Sequence, residues 1–264
     1  MTPRYNLYSL AEAVAALLLV AGVLMACASA EPVFRLDATS ADSSAAWVQG
    51  RQVIPHTADG LRTFIAYDHS IGHSHVFHLG VENRSDTPVL VDPARVYASL
   101  EMEIPGFEDI DMEGPRARDT VAARDPEAKL LALDKARSRE VADERNDRLM
   151  NGLVLTLDAA GDVADSFSGG RTDEERAADA AEDAEWAVRR ADDRAAYRRR
   201  MQDVSESRVH WSERVLRKTT LPPGAYTAGW VYVPIRETAE AVTLHVRIGP
   251  HHAAVPYRQQ RYEP

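Results

Sequence analysis

Cysteine is almost missing from this chain: Cys27 stands alone among 264 residues. An internal disulfide is therefore excluded, and stability has to come from packing. Positive charge is in deficit, with 31 basic against 41 acidic residues and a formal net charge of −10. That balance makes nucleic acid and anionic headgroups poor partners. Lysine is scarce too: Lys129, Lys135 and Lys218 are the full set, and arginine supplies the rest. No apolar run approaches the roughly 20 residues of a comfortable membrane span. The glycine-rich signatures of nucleotide sites and the serine elbow of hydrolases are absent as well. No constellation of acid, base and nucleophile emerges, so the expectation is a protein that is not an enzyme.

What is present begins at the N-terminus. After the short basic region of Arg4, residues Ala13 to Ala26 are apolar or small without a charge. This length suits the core of a signal peptide. The run ends in Leu24-Met25-Ala26-Cys27, which resembles the lipobox of bacterial lipoprotein precursors, with Met25 its least typical member. The resemblance implies cleavage before Cys27, a diacylglycerol on its thiol, and a signal peptide over residues 1–26. Several acyl chains, at about 0.8 kcal/mol per buried methylene, make such a tether permanent. Ala28 is not aspartate, which by the same resemblance implies the periplasmic face of the outer membrane. Two alternatives stand beside this. Ala28-Ser29-Ala30 before Glu31-Pro32 also reads as a site for the general signal peptidase, giving soluble export. Retention as an uncleaved membrane anchor is the other.

Residues 27–264 hold enough chain for one good core. Thr63–Tyr67, His75–Glu82, Val89–Val91 and Val96–Leu100 are short runs of strand formers. Asn83-Arg84-Ser85-Asp86 and Asp92-Pro93 separate them as turns. The phrase VENRSDTPVLVDPARVYA is similar to immunoglobulin-like modules of exported bacterial proteins.

Pro126 and Pro222 are consecutive prolines, which leaves residues 126–218 free to be helical. Asp125-Pro126-Glu127 starts a helix expected to end near residue 150, before Asn151-Gly152. An apolar patch from Leu153 follows, then a flexible joint at Ser166–Gly170. Thr172 and Glu175 form a capping-box pair for a second helix. Ala177, Ala181, Ala184, Val188, Ala191 and Ala195 space a stripe that Tyr197, Met201, Val204, Arg208, Trp211 and Val215 continue. Such a stripe fits a partner helix. Strands return with the alternating runs Ala225–Val233 and Ala241–Gly249.

Neither flank makes a sandwich alone, so the two must close one core together. The expected fold is an antiparallel immunoglobulin-like β-sandwich interrupted by a long helical hairpin. Residues 27–125 supply its first half, 126–218 the inserted hairpin and 219–264 the completing strands. In the run Tyr226, Ala228, Trp230, Tyr232 the aromatic side is expected to face the core, a sugar-binding platform being the alternative.

Candidate chemistry is confined to histidines. His69, His73, His75 and His78 lie close together beside Asp68, and imidazoles with a carboxylate suit zinc or copper. His245, His251 and His252 are possible supplements. Glu101, Glu103, Glu108, Asp109, Asp111 and Glu113 form an acidic stretch that lacks the ligand order of a calcium loop. The reading that results is a non-catalytic envelope protein, held to a membrane through Cys27, without a cofactor and with a protein partner. Its alternative is a periplasmic transition-metal binder using the four histidines.

Overall fold

The computed structural model describes residues 31–39, 45–103, 116–166 and 172–263. Cys27 and the lipobox lie outside these residues, as do the joint after Ser166 and most of the acidic stretch. Among the described residues there are twelve strands: β1 (Val33–Ala38), β2 (Ala46–Val48), β3 (Arg51–Ala58), β4 (Leu61–Ile71), β5 (Ser74–Asn83), β6 (Val89–Val91), β7 (Tyr97–Glu103), β8 (Arg116–Ala122), β9 (Thr219–Leu221), β10 (Tyr226–Pro234), β11 (Ala239–Ile248) and β12 (His251–Tyr262). Helices α1 (Pro126–Ser166) and α2 (Asp173–Glu213) stand between β8 and β9.

Two five-stranded antiparallel sheets form the sandwich, in the orders β1-β12-β11-β7-β8 and β10-β5-β4-β3-β2. A separate two-stranded ribbon, β6-β9, adds Val91 and Leu221 to the same core. The neighbours β4-β5-β10 and β12-β11-β7-β8 reproduce the A-B-E and G-F-C-C′ orders of an immunoglobulin sandwich. The pairs β5–β10, β7–β11 and β1–β12 each join chain from before the helices to chain from after them. Both flanks therefore build one core, and the helical hairpin is an insertion.

Alternation decides what faces inward. Val242, Leu244, Val246 and Ile248 of β11 are buried, as are Ala253, Val255 and Tyr257 of β12. From the other sheet come Leu61, Ile65, Phe77, Leu79, Val81, Val231 and Val233. Turn chemistry fixes the hairpins. Asp59 and Gly60 both have positive φ, 53° and 72°, the pairing a two-residue connection of β3 to β4 requires. Asn83 locks the next corner: its amide donates to the carbonyls of Thr87 (2.8 Å) and Leu221 (2.9 Å). Its Oδ1 accepts from the Ser85 amide and hydroxyl. The sequence's "N-x-S-D" turn is thus a buried clasp between β5 and β9.

Three sequence-level expectations need correction. Helix α1 does not stop near residue 150; it runs through Asn151-Gly152 to Ser166. A lone glycine costs a helix only about 1 kcal/mol, too little to break one extended on both sides. Next, the apolar stripe of α2 is covered only in the half nearer the sandwich, where Ala195, Tyr197, Met201 and Val204 are half-buried. Trp211 and Val215 are buried, whereas Ala177, Ala181, Ala184 and Val188 are exposed. Charge bridges the helices as well: Arg200 Nε lies 2.8 Å from Glu140, and Arg208 Nε 2.8 Å from Asp134. Further out, Asp143, Glu144 and Asp147 of α1 face Arg190 and Arg194 of α2 across a groove of about 900 Å³. Finally, the aromatic side of β10 faces away from the sandwich core. Its alternates Val231 and Val233 fill that core.

Tyr232 and Trp230 anchor the hairpin. Val76, Leu130, Leu133, Trp211, Val215 and Tyr232 make a second apolar cluster on the outer face of the β5–β10 sheet. His210 Nε2 lies 2.6 Å from the Tyr232 hydroxyl. Arg217 grips Glu127 with both ends of its fork, at 2.6 and 2.7 Å, where the chain leaves and re-enters the sandwich. Asp125 caps α1, accepting from the Glu127 amide at 2.9 Å.

Candidate functional site

The four histidines are carried by the β4–β5 hairpin, but they part ways. His69 is on β4 with its Nδ1 3.5 Å from Asp68 Oδ2, at the exposed rim of a cleft. His73 lies in the turn and is exposed. His75 points inward and is buried. His78 projects to the opposite face, half-buried, where burial first and Arg51 second lower its pKa. Strand alternation alone separates His75 from His78. Among the described residues, no group of three or more His, Cys, Asp or Glu side chains is gathered to hold a metal ion.

What His75 does is different. Gln259 of β12 spends its amide nitrogen on the carbonyls of Arg236 and Ala239, both at 2.9 Å. Its Oε1 is thereby turned to His75 Nε2 at 2.8 Å. Because that oxygen can only accept, Nε2 carries the proton and Nδ1 is the acceptor. Ser70 Oγ, 2.8 Å from Nδ1, must donate to it. The Tyr67 hydroxyl then donates to Ser70 Oγ at 2.9 Å. Burial drives the His75 pKa down from 6.5 to about 4, so the imidazole is neutral near pH 7.

This relay opens on the cleft, a space of about 550 Å³ between β1 and the strands β2–β4. Phe34, Leu36 and Trp47 line it with apolar surface, and Arg51 lies 3.5 Å from Asp68 at its rim. Tyr257 also lines it; its buried hydroxyl has no hydrogen-bond partner among the described residues, and burial raises its pKa. Chemically the cleft offers fixed neutral donors and acceptors together with the carboxylates of Asp37 and Asp68.

Sequence reading found His69 and His75 but missed Ser70, Tyr67 and Gln259. Gln259 is 184 positions from His75, and only the closure of the two flanks brings it there. The alternative of an aromatic platform on β10 is divided: Tyr226 is exposed, whereas Tyr232 lies beneath α2. Compared with protein-family models, curated proteins and solved structures, the chain matches none.

Proposed function

We propose a lipid-anchored envelope protein of non-catalytic role, in which the sandwich presents the helical hairpin to a protein partner. The tether is the lipid on Cys27, and the setting is the periplasmic face of the outer membrane. The observation that carries this reading is the hairpin. Each helix has 41 residues. At 1.5 Å per residue that is about 60 Å of rod. It is pinned at its base by an aromatic cluster and a two-pronged ion pair. Away from the base, Leu149 is 72 %, Met150 60 %, Leu153 55 % and Val188 60 % exposed. Large apolar side chains held on a stiff arm are suited to contact.

Photo-crosslinking in intact cells tests this. A crosslinker at Leu149 or Val188 should capture one discrete species, and one at Thr243 on the sandwich should not. Light scattering of the purified chain separates self-association from a different partner. Capture of the same species from all three positions, or from none, would remove the arm from the account. The tether is checked separately: Cys27→Ser should leave the membrane fraction while the arm still crosslinks when partner is supplied.

A further inference from the structure

The outer face of the β1–β8 sheet carries two histidines whose ring nitrogens meet. His245 on β11 stands opposite Ala254, and His252 on β12 opposite Arg247, so the two imidazoles are diagonal neighbours. Their strand neighbours Leu244, Val246, Ala253 and Val255 point inward and are buried. His245 Nδ1 lies 3.1 Å from His252 Nε2. The ring centres are 5.3 Å apart and the planes differ by 15°. An imidazole nitrogen sits close to its ring centre. Nitrogens this near, within that centre-to-centre distance, must both lie close to the line joining the rings. The rings therefore meet edge to edge, with one N–H aimed at one lone pair.

His245 is held from two further sides. Its Nε2 is 2.8 Å from Ser99 Oγ on β7. Tyr97 stacks on its face at 4.6 Å, and the Arg247 guanidinium covers Tyr97 at 5.3 Å. His252 is exposed.

We infer that His245 Nδ1 and His252 Nε2 form a chelate for a divalent transition-metal ion, copper(II) foremost and zinc(II) after it. Two imidazole nitrogens bound at about 2.0–2.1 Å stand roughly 3 Å apart when they are adjacent ligands, close to the spacing already present. A turn of roughly 40° at each ring, His252 exposed and His245 half-buried, aims their lone pairs at a common point above the sheet. The ion replaces the hydrogen between the two nitrogens. Each neutral imidazole keeps one N–H, so the neutral pair releases no proton on binding. The hydrogen of His245 then resides on Nε2 and is donated to Ser99 Oγ, the outer contact that orients a metal-bound histidine. Water completes the coordination. Copper precedes zinc because imidazole sites follow the general stability order of divalent ions. The site lies on the opposite sheet from His69, His73, His75 and His78, and it rests on neither the tether nor the arm.

Titration of the purified full chain with copper(II) and with zinc(II), followed by calorimetry, provides the test. Electron paramagnetic resonance of the copper form reads the ligands. One ion should bind per chain, with coupling to two imidazole nitrogens. Ser99→Ala should weaken binding roughly tenfold. His245→Ala and His252→Ala should each weaken it further, while the double variant His69→Ala/His73→Ala leaves it unchanged. Copper affinity unaltered by either of the first two histidine replacements, or a spectrum with a single imidazole nitrogen, overturns the assignment. Both residues are on the outer face; circular dichroism verifies folding, and His245→Gln and His252→Gln stand in should an alanine variant misfold.

Discussion

Single residues in this protein are constrained by what lies against them more than by their own propensities. Gly229 and Gly80 illustrate the difference. A Cβ on Gly229 would sit 2.5 Å from the Leu216 amide nitrogen and 2.7 Å from its Cα, because the chain leaving α2 crosses β10 there. Leu216 donates to the Trp230 carbonyl at 2.9 Å, so that backbone cannot retreat. A Cβ on Gly80 would meet the Tyr226 hydroxyl at 2.6 Å, the free end of an exposed side chain. Gly229→Ala should therefore cost about 3 kcal/mol, the upper end of overpacking. Gly80→Ala should cost only about 0.5 kcal/mol. Urea unfolding of the two variants checks the contrast, and equal losses would contradict it.

His75 makes a pH prediction at the same scale. Its folded-state pKa is about 4, below the ordinary 6.5. Between those values the unfolded chain takes up a proton that the folded chain refuses. Stability is then complete above pH 6.5 and falls as the pH drops towards 4. The loss attributable to His75 approaches about 3 kcal/mol. Burial also lowers the pKa values of His78 and His251, which act in the same direction. Urea midpoints at pH 7 and pH 4.5 should differ strongly in the native chain and less in His75→Gln. An equally steep decline in the variant would mean that the buried imidazole is not responsible. None of this was legible in the sequence, where His75 looked like one histidine of a cluster. What hid it was Gln259, which no local pattern ties to β5.

At the scale of elements, runs of strand formers named β4, β5, β6 and β7, and the pattern of alternation named β10 and β11. These signals passed over β8 and β12 for physical reasons. Arg116, Arg118 and Asp119 make β8 look like a loop, yet charges suit an edge strand that must not pair further. Pro256 argues against a strand until its position is seen: it lies just past Ala38–Tyr257, the last pair of the β1–β12 ladder, where its carbonyl accepts from the Thr39 amide at 3.0 Å and a missing N–H costs only the terminal bond. The hairpin was legible as two helices, but the outer part of its expected stripe, from Ala177 to Ala191, is exposed. Trp211, 8 % exposed against Tyr232, holds the base. Trp211→Ala should cost about 3–5 kcal/mol and free the arm from the sheet. Beyond the base, Glu140–Arg200 and Asp134–Arg208 bridge exposed surface. Such pairs are screened by salt. Raising salt from about 0.1 M to about 1 M should speed amide exchange in the middle of α1 and α2 and leave β5 and β10 unchanged. Uniform exchange along the arm at both salts would indicate that apolar contact, not charge, joins the helices there.

For the whole molecule the decisive fact is interleaving. β1 pairs β12, β5 pairs β10 and β7 pairs β11, so every core ladder mentioned spans the insertion. The chain can close these ladders without the arm because its two ends meet: Glu127 and Arg217 are 2.6 Å apart at their closest atoms. Replacing residues 128–213 by a short Gly/Ser linker keeps Val215 and Leu216, both buried against the sandwich. It removes Leu130, Leu133 and Trp211 and uncovers Val76 and Tyr232. The armless chain should unfold in one cooperative transition at a lower urea midpoint than the native protein. Residues 31–125 and 219–264 expressed separately should each remain unfolded, since each holds only one partner of the β1–β12, β5–β10 and β7–β11 ladders that close the core. Mixed together they should regain the β-sheet circular dichroism of the armless chain. An armless chain that fails to fold, or a half that folds alone, would show that the flanks do not share one core, and the arm would then be part of the fold rather than something the fold presents.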